Sequence, residues 1–168
     1  MNKKNITDAV LEELRRRSLV EQQEEDDEEQ DDNINQENEE NSETNDDFCE
    51  MVCRLLHSQT QVHIFHLAVK GKGSYAAHKA LQGYYEGIDA LVDGVIESYQ
   101  GKYGLLTDYK SFENESFKSI EQTINYLKGL DEMIQEKRDC CEDSFIQNQI
   151  DTIQELIYST LYKLKFLS

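Results

Sequence analysis

Residues 66–97, "HLAVKGKGSYAAHKALQGYYEGIDALVDGVIE", contain two histidines near the start and two carboxylates near the end. The "GKG" at residues 71–73 interrupts the helical spacing of apolar side chains that runs up to Val69, and this spacing resumes after Ser74. Glycine readily adopts the backbone conformations that end one helix before the next begins. The stretch therefore predicts a helical hairpin, with Ser74 as the N-cap of its second helix.

Apolar side chains recur at helical intervals throughout residues 48–168, which contain no proline. This spacing predicts four helices and a connection at residues 105–112. The helices are expected from residue 48 to the GKG turn, from Ser74 to Ser98 or Gln100, from about 113 to 137 and from about 142 to 166. Four long helices with short or moderate connections are typical of a four-helix bundle, so the predicted fold class is all-α.

The same periodicity predicts which side chains face the core. On the first helix these are Phe48, Val52, Leu55, Gln59, Val62, His66 and Val69. On the third they are Phe117, Ile120, Ile124, Leu127, Leu130 and Ile134, and on the fourth Phe145, Ile150, Ile153, Leu156, Ile157, Leu161 and Leu164. Tyr84, Tyr85 and Tyr99 are interpreted as core or interface aromatics.

Two segments precede the predicted bundle. Residues 21–47 hold 15 of the 35 acidic residues, no Lys or Arg, and Ile34 as their only large apolar side chain. Such a segment cannot bury enough apolar surface to offset its ordering entropy, so we predict a disordered acidic linker. Residues 1–20 carry a short apolar stripe that predicts an amphipathic helix beginning at Asn5 or Thr7. This helix is either a tethered docking peptide or a frayed arm.

The formal net charge of −18 excludes some functions. An acidic tail repels phosphate backbones, so direct nucleic-acid binding is not expected. No apolar run is long enough to span a bilayer and no signal peptide is recognisable, which predicts a soluble intracellular product. The four cysteines fit reduced thiols. Cys49, Cys53 and His57 share one helix face at i, i+4 and i+8, but small residues near a helix start are a simpler interpretation than a metal site.

His78, Asp93 and Glu97 share one broad face of the second predicted helix, because offsets of 15 and 19 residues rotate by about 60° and 100°. The rise of the helix separates His78 from Asp93 by about 22 Å. Ligand atoms bind metal ions at only about 2.0 to 2.6 Å. One chain therefore cannot bring these side chains to one ion, and they are either unrelated or part of a site that two chains share.

Antiparallel packing of two copies of this helix about a two-fold axis would bring the separated ligands together. The histidine end of one copy would face the carboxylate end of the other, giving two equivalent sites and at least a homodimer. His66, just before the turn, would approach the same place as His78. Two imidazoles and two carboxylates suit iron(II), and zinc or manganese less well. Taken singly, His66 is better explained as a core histidine than as a ligand, and Glu97, near a helix end, is compatible with a solvated carboxylate.

The stretch "HLAVKGKGSYAAHKAL" resembles the signature of the Dps group, ferritin-like proteins from starved cells. In that group a His followed by a Val-Lys-Gly turn precedes a second His by 12 positions, with Asp and Glu 15 and 19 positions further on. His66, His78, Asp93 and Glu97 match these intervals. The resemblance covers about residues 48–101 and implies a ferritin-like bundle with an iron-oxidising centre between subunits.

Three departures from the Dps pattern change what the resemblance implies. Gln82 stands where the family usually supplies a further Asp ligand, and Leu67 replaces the usual aromatic residue. The basic tail with which many Dps proteins bind DNA is absent, and an acidic tract stands in its place. Gln82 argues against a full two-iron centre, and the acidic tract argues against DNA compaction.

The chain is also similar to ferritin-like proteins of unknown function encoded by tailed bacteriophages, through "SYAAHKAL", "YY" and "ESYQGKYG". That resemblance implies a location in the bacterial host cytoplasm and in the virion. One alternative is then a non-enzymatic virion structural or cargo protein that docks on a capsid partner through residues 1–20. Another is a regulatory protein whose acidic tail mimics nucleic acid.

Overall fold

The computed structural model describes residues 45–167, and every regular element within this range is helical. The long helices are α1 (residues 45–68), α2 (Ser74–Tyr103), α3 (Ile120–Lys137) and α4 (Ser144–Phe166), and a short 3-10 turn (Arg138–Cys140) joins the last two. The all-helical prediction is confirmed for this part of the chain. The predicted N-terminal helix, and the linker up to residue 44, lie outside the described residues. Within residues 45–167, no helix is long and apolar enough to cross a membrane.

α1 and α2 pack antiparallel along their whole length. The ring of Phe48, near the start of α1, stacks on Tyr99 near the end of α2 with centroids 3.7 Å apart. Midway along, the hydroxyl oxygens of Ser58 and Tyr84 lie 2.8 Å apart. The two helices therefore form the hairpin that the glycine turn predicts.

The turn itself uses two glycines in the left-handed region, Gly71 at φ +98° and Gly73 at φ +79°. Glycine adopts these angles without the steric cost that a Cβ brings. The N-cap of α2 is Gly73, so the prediction that Ser74 is the cap is wrong by one residue. α2 also runs past the predicted end to Tyr103, where Gly104 at φ +101° ends it and donates its N–H to the Gln100 carbonyl oxygen.

α3 runs in the same direction as α2, because α3 is antiparallel to α1. Lys137, at the end of α3, pairs with Asp47 at the start of α1 at 2.5 Å. Near the other end of the pair, the rings of Phe65 and Tyr126 are 5.7 Å apart. The segment 104–119 must therefore return along the full length of the bundle, and we call it the crossover.

α4 completes the arrangement by packing antiparallel to α2. Lys102 at the end of α2 pairs with Asp143 just before α4 at 2.5 Å, and Gln149 donates to Ser98 at 3.0 Å. The described part of the chain thus consists of two antiparallel helix pairs joined by one long crossover. One hydrophobic cluster draws on all four helices.

The third helix begins later than predicted, at Ile120 and not near residue 113. The side chain of Ser119 accepts a hydrogen bond from the Gln122 N–H at 3.1 Å, which is the N-cap arrangement that starts a helix. Upstream, Gln61 of α1 binds both the N–H (2.6 Å) and the carbonyl oxygen (2.8 Å) of Glu115. The backbone before residue 119 is therefore bonded to α1 and does not form helical hydrogen bonds.

The predicted core is largely confirmed, with one clear error. Phe145 is 46% exposed, whereas the next residue, Ile146, is fully buried. The buried stripe of α4 continues from Ile146 to Ile150 and Ile153 at intervals of four and three residues, so Phe145 falls just outside it. Several predicted core residues are half-buried, namely Gln59, Val69, Phe117, Ile120, Ile124 and Leu156.

The folded part also begins earlier than the predicted boundary at residue 48. α1 already includes residues 45–47, which the sequence assigns to the acidic linker. Asn45 accepts a hydrogen bond from the Tyr99 hydroxyl at 2.6 Å, and Asp47 pairs with Lys137. These polar residues are therefore anchors of the helix start.

Candidate metal centre

His66 and His78 face each other across the GKG turn. His66 lies in the last turn of α1 and is only 6% exposed, and His78 lies in the second turn of α2. Their rings stack with centroids 3.6 Å apart and planes inclined by 25°. The hairpin thus brings together the two histidines that the sequence places 12 residues apart.

The two histidines bind each other's backbone through Nδ1. Nδ1 of His66 lies 2.9 Å from the carbonyl oxygen of His78, and Nδ1 of His78 lies 3.2 Å from the carbonyl oxygen of His66. A carbonyl oxygen only accepts, so each Nδ1 must carry the hydrogen and donate it. In the neutral rings both Nε2 atoms then hold a free lone pair. Metal-binding histidines are usually oriented in this way, by a hydrogen bond from the other ring nitrogen.

His63 and Tyr85 extend this pair into an aromatic cluster. The exposed ring of His63 stacks on Tyr85 with centroids 4.2 Å apart and lies 5.7 Å from His66. Tyr85 meets His66 edge-on at 5.0 Å. Sequence reasoning did not single out His63, although its spacing of three residues from His66 would place both on one side of α1.

Asp93 and Glu97 lie apart from the histidines. Both are exposed on α2, and neither forms an ion pair with another described residue. Within residues 45–167, no group of three or more His, Cys, Asp or Glu side chains is placed to hold a metal ion. A single copy of the described chain therefore presents two imidazoles at one end of α2 and two carboxylates toward the other.

Gln82 is engaged along its own helix. Its amide oxygen accepts a hydrogen bond from Lys79 Nζ at 2.5 Å, and its amide nitrogen donates to Glu86 at 2.7 Å. Both ends of the amide are thus occupied by neighbours three and four residues away. These two hydrogen bonds hold the Gln82 side chain along α2.

The exposed face of α2 is acidic and includes several residues with a small side chain or none. Gly83 and Gly94 carry no side chain, and a Cβ built on either would meet no atom within 4 Å. Ala90, also exposed, lies between them, and Glu86 and Asp89 are exposed on the same helix. A second helix can approach such a surface closely. Two copies of it would repel each other unless a cation lay between them.

The alternative site at Cys49, Cys53 and His57 has a different role in the fold. The three side chains contact the crossover backbone at Asp108 O (3.4 Å), Lys110 N (3.2 Å) and Glu113 O (3.3 Å), in that order. Burial, with the neighbouring Cys53 thiol, raises the pKa of Cys49 to about 11, so the thiol stays protonated near neutral pH. This helix face fixes the crossover to α1.

A family model with the description "Family of unknown function (DUF5856)" matches residues 66–164, more than half of the chain. The matched range begins at His66 and includes His78, Asp93 and Glu97 as well as α2, α3 and most of α4. Searches of the curated proteins and of the solved structures give no match.

Proposed function

The chain belongs to the DUF5856 family of unknown function, and we propose from its site that two copies pair through α2 and bind divalent metal ions between them. His66 and His78 of one copy would supply imidazole nitrogens, and Asp93 and Glu97 of the other would supply carboxylate oxygens. The observation that carries the proposal is the reciprocal Nδ1 hydrogen bonding of His66 and His78, which leaves both Nε2 lone pairs free.

The donor set fits a first-row transition metal. Two imidazoles with two carboxylates make a mixed nitrogen and oxygen site of the kind that holds iron(II), zinc or manganese. Asp93 and Glu97 are exposed and outside any described ion pair, so they are free to bind a cation. Among these metals we propose iron, because the ligand spacing resembles that of the Dps group. Gln82 stands where that group supplies a further Asp ligand, so we expect one ion per shared site.

The helix directions support a ferritin-like fold. Ferritin-like bundles have two antiparallel helix pairs joined by a single long crossover, and α1 to α4 follow that order and direction. In such bundles metal sites are built from side chains of facing helices. We therefore propose that the chain is a ferritin-like protein whose metal sites lie between subunits.

Iron held at this site would supply one-electron redox chemistry, with Fe(II) oxidised to Fe(III) by dioxygen or a peroxide. The protein's own residues would orient the ligands and limit access of water. The hydrogen bonds between the histidines fix the ring orientations, and the Tyr85 ring covers one side of His66. His63, stacked on Tyr85, forms the exposed edge of the cluster.

Metal analysis of the purified protein, followed by anaerobic addition of Fe(II) and then of peroxide, tests the proposal. We expect about one iron per chain for the wild type, and an affinity lowered at least about 100-fold for the double variant Asp93→Ala, Glu97→Ala. The variant Glu86→Ala, Asp89→Ala is the matched control, because it removes two carboxylates from the same helix. Equally low iron binding by the wild type and by the Asp93, Glu97 variant would refute the proposal.

Light scattering tests the pairing independently. A shared site requires at least a dimer, so we expect the mass of the metal-loaded protein to be at least twice that of the 19.6 kDa chain. A metal-loaded protein that stays monomeric at every concentration would exclude a shared site.

A further inference from the structure

A groove of about 560 Å³ runs between α1, the crossover and α3, on a part of the surface separate from the histidine pair. Its apolar walls come from Tyr126, Leu130 and Met133 of α3 and from Phe112 of the crossover. This volume lies in the range of small-molecule pockets, which are commonly apolar with a few polar groups.

Gly129 keeps the middle of the groove open. It lies inside α3, where any other residue would project a side chain, and a Cβ built on it meets no atom within 4 Å. Glycine in a helix interior costs roughly 0.5 to 1 kcal/mol relative to alanine. Gly129 thus lowers the stability of α3, at a position where a side chain would reduce the volume of the groove.

The charged residues around the groove leave an excess of carboxylates. Its two cationic side chains, Arg54 and Lys137, both pair with Glu50, at 2.8 Å and 3.1 Å. The other three carboxylates, those of Glu113, Glu115 and Glu136, form no ion pair with any described residue. An anion would find no uncommitted cation here, whereas a cation would find three carboxylates.

These carboxylates are spread along the groove and do not form one cluster. The backbone of Glu115 is bonded to Gln61, and its carboxylate accepts a hydrogen bond from Gln122 at 2.9 Å. Glu115 lies at the end of the groove with Tyr126, and Glu136 lies at the other end beside Lys137. Tyr126 and Glu136 are ten residues apart on α3, which is about 15 Å along the helix. A single metal ion cannot reach carboxylates so far apart, but an elongated molecule with several positive charges can.

His57 adds an acceptor to the wall of the groove. Its Nε2 donates to the Glu113 carbonyl oxygen at 3.3 Å, so Nδ1 carries the lone pair in the neutral ring. This Nδ1 is buried and has no hydrogen-bond partner among residues 45–167. An unpaired buried acceptor costs folding free energy, and this one belongs to a side chain that lines the groove.

We propose that this groove binds a linear aliphatic polyamine with three or four ammonium groups. The methylene segments lie against Tyr126, Leu130 and Met133, and the ammonium groups pair with the carboxylates of Glu113, Glu115 and Glu136. This binding is independent of the metal site, because the two sites share no residue.

Methyl NMR of the full chain with labelled methionine tests the proposal, because the three methionines report on three places. Met133 lines the groove, Met51 is fully buried in the core, and Met1 belongs to the N-terminal segment whose acidic neighbours also attract polycations. Titration with spermidine should shift the Met133 signal to saturation at a lower concentration than Met1, with Met51 unmoved. Putrescine, which is shorter, and Mg²⁺ should act on Met133 only at much higher concentrations.

Two groove variants and one control sharpen the test. Glu113→Gln with Glu136→Gln should raise the spermidine midpoint at Met133 at least about tenfold. Gly129→Leu should abolish the shift, and an unchanged Met51 signal shows that each variant is folded. Glu142→Gln with Glu155→Gln removes the same charge from exposed positions outside the groove and should leave the midpoint unchanged.

Three results would overturn the proposal. One is a Met133 signal that does not move with spermidine. Another is movement at the same midpoint as Met1, or with Mg²⁺ as effectively as with spermidine, since either would mean general charge screening. The third is an equal midpoint in the groove variant and the control variant.

Discussion

The carbonyl oxygens of His66 and His78 decide which nitrogen each imidazole presents. Because both Nδ1 atoms donate to backbone, the metal-binding lone pairs are on Nε2 in both rings. The sequence spacing predicts that the two histidines meet at the turn. It does not predict that each histidine binds the other's backbone carbonyl, or that His63 joins the aromatic cluster, since both depend on the angle at which α1 and α2 pack.

The buried hydroxyl pair of Ser58 and Tyr84 provides a test at the residue scale. Ser58 donates to the Leu55 carbonyl oxygen at 2.6 Å, so Tyr84 must donate to Ser58. Ser58→Ala leaves a fully buried tyrosine hydroxyl unpaired and should cost about 1 to 3 kcal/mol. Tyr84→Phe leaves Ser58 with its backbone partner and should cost about 1 kcal/mol or less. Urea unfolding of both variants measures the order, and a larger cost for Tyr84→Phe would contradict this assignment of donors.

His57 makes the stability of the fold depend on pH. Burial, and secondarily the nearby Arg54, lower the pKa of His57 in the folded chain below the ordinary value of 6.5. Between the lowered pKa and 6.5 the unfolded chain holds more protons than the folded chain, so the free energy of unfolding falls as the pH falls through this window. Urea unfolding at pH 7.5 and 5.5 should show a smaller loss for His57→Gln than for the wild type. Equal losses would show that His57 titrates alike in both states.

Among the elements, the crossover is the one that sequence periodicity misjudges most. The apolar residues at 112, 117, 120 and 124 resemble the start of a helix, so the third helix is predicted from about residue 113. The structure delays that helix to Ile120, because Gln61 binds the backbone of Glu115. A contact between residues 54 positions apart leaves no local pattern. The GKG turn and the long apolar stripe of α4 do leave local patterns, and those elements are predicted to within two or three residues.

The Gln61 contact also gives a test at the element scale. Gln61→Ala removes both hydrogen bonds to Glu115, each of which contributes about 0.5 to 1.5 kcal/mol, so the variant should cost about 1 to 3 kcal/mol. Hydrogen exchange should rise for the amides of residues 110–116 and change little in α4. Gln59→Ala is the control, because Gln59 lies on the same helix and is only half-buried. Equal exchange rates in the two variants would mean that Gln61 does not fix the crossover.

At the scale of the whole molecule, the charge distribution connects the fold to the proposed pairing. α2 exposes four carboxylates, those of Glu86, Asp89, Asp93 and Glu97, beside glycines that allow close approach. Antiparallel pairing of two such faces concentrates negative charge, and bound cations at both ends would offset it. We therefore expect removal of metal by a chelator to shift a dimer toward monomer, most strongly at low salt, as measured by light scattering.

The rise of α2 separates His78 from Asp93 and Glu97, so the central claim is that each metal site exists only between two chains. Two differently tagged variants, one with His66→Ala and His78→Ala and the other with Asp93→Ala and Glu97→Ala, can be co-expressed and purified as the mixed dimer. One of its two sites then has all four ligands, so metal analysis should give about half the wild-type content, whereas neither variant alone binds metal. A mixed dimer without metal, or a carboxylate variant that binds metal as the wild type does, would contradict the shared site.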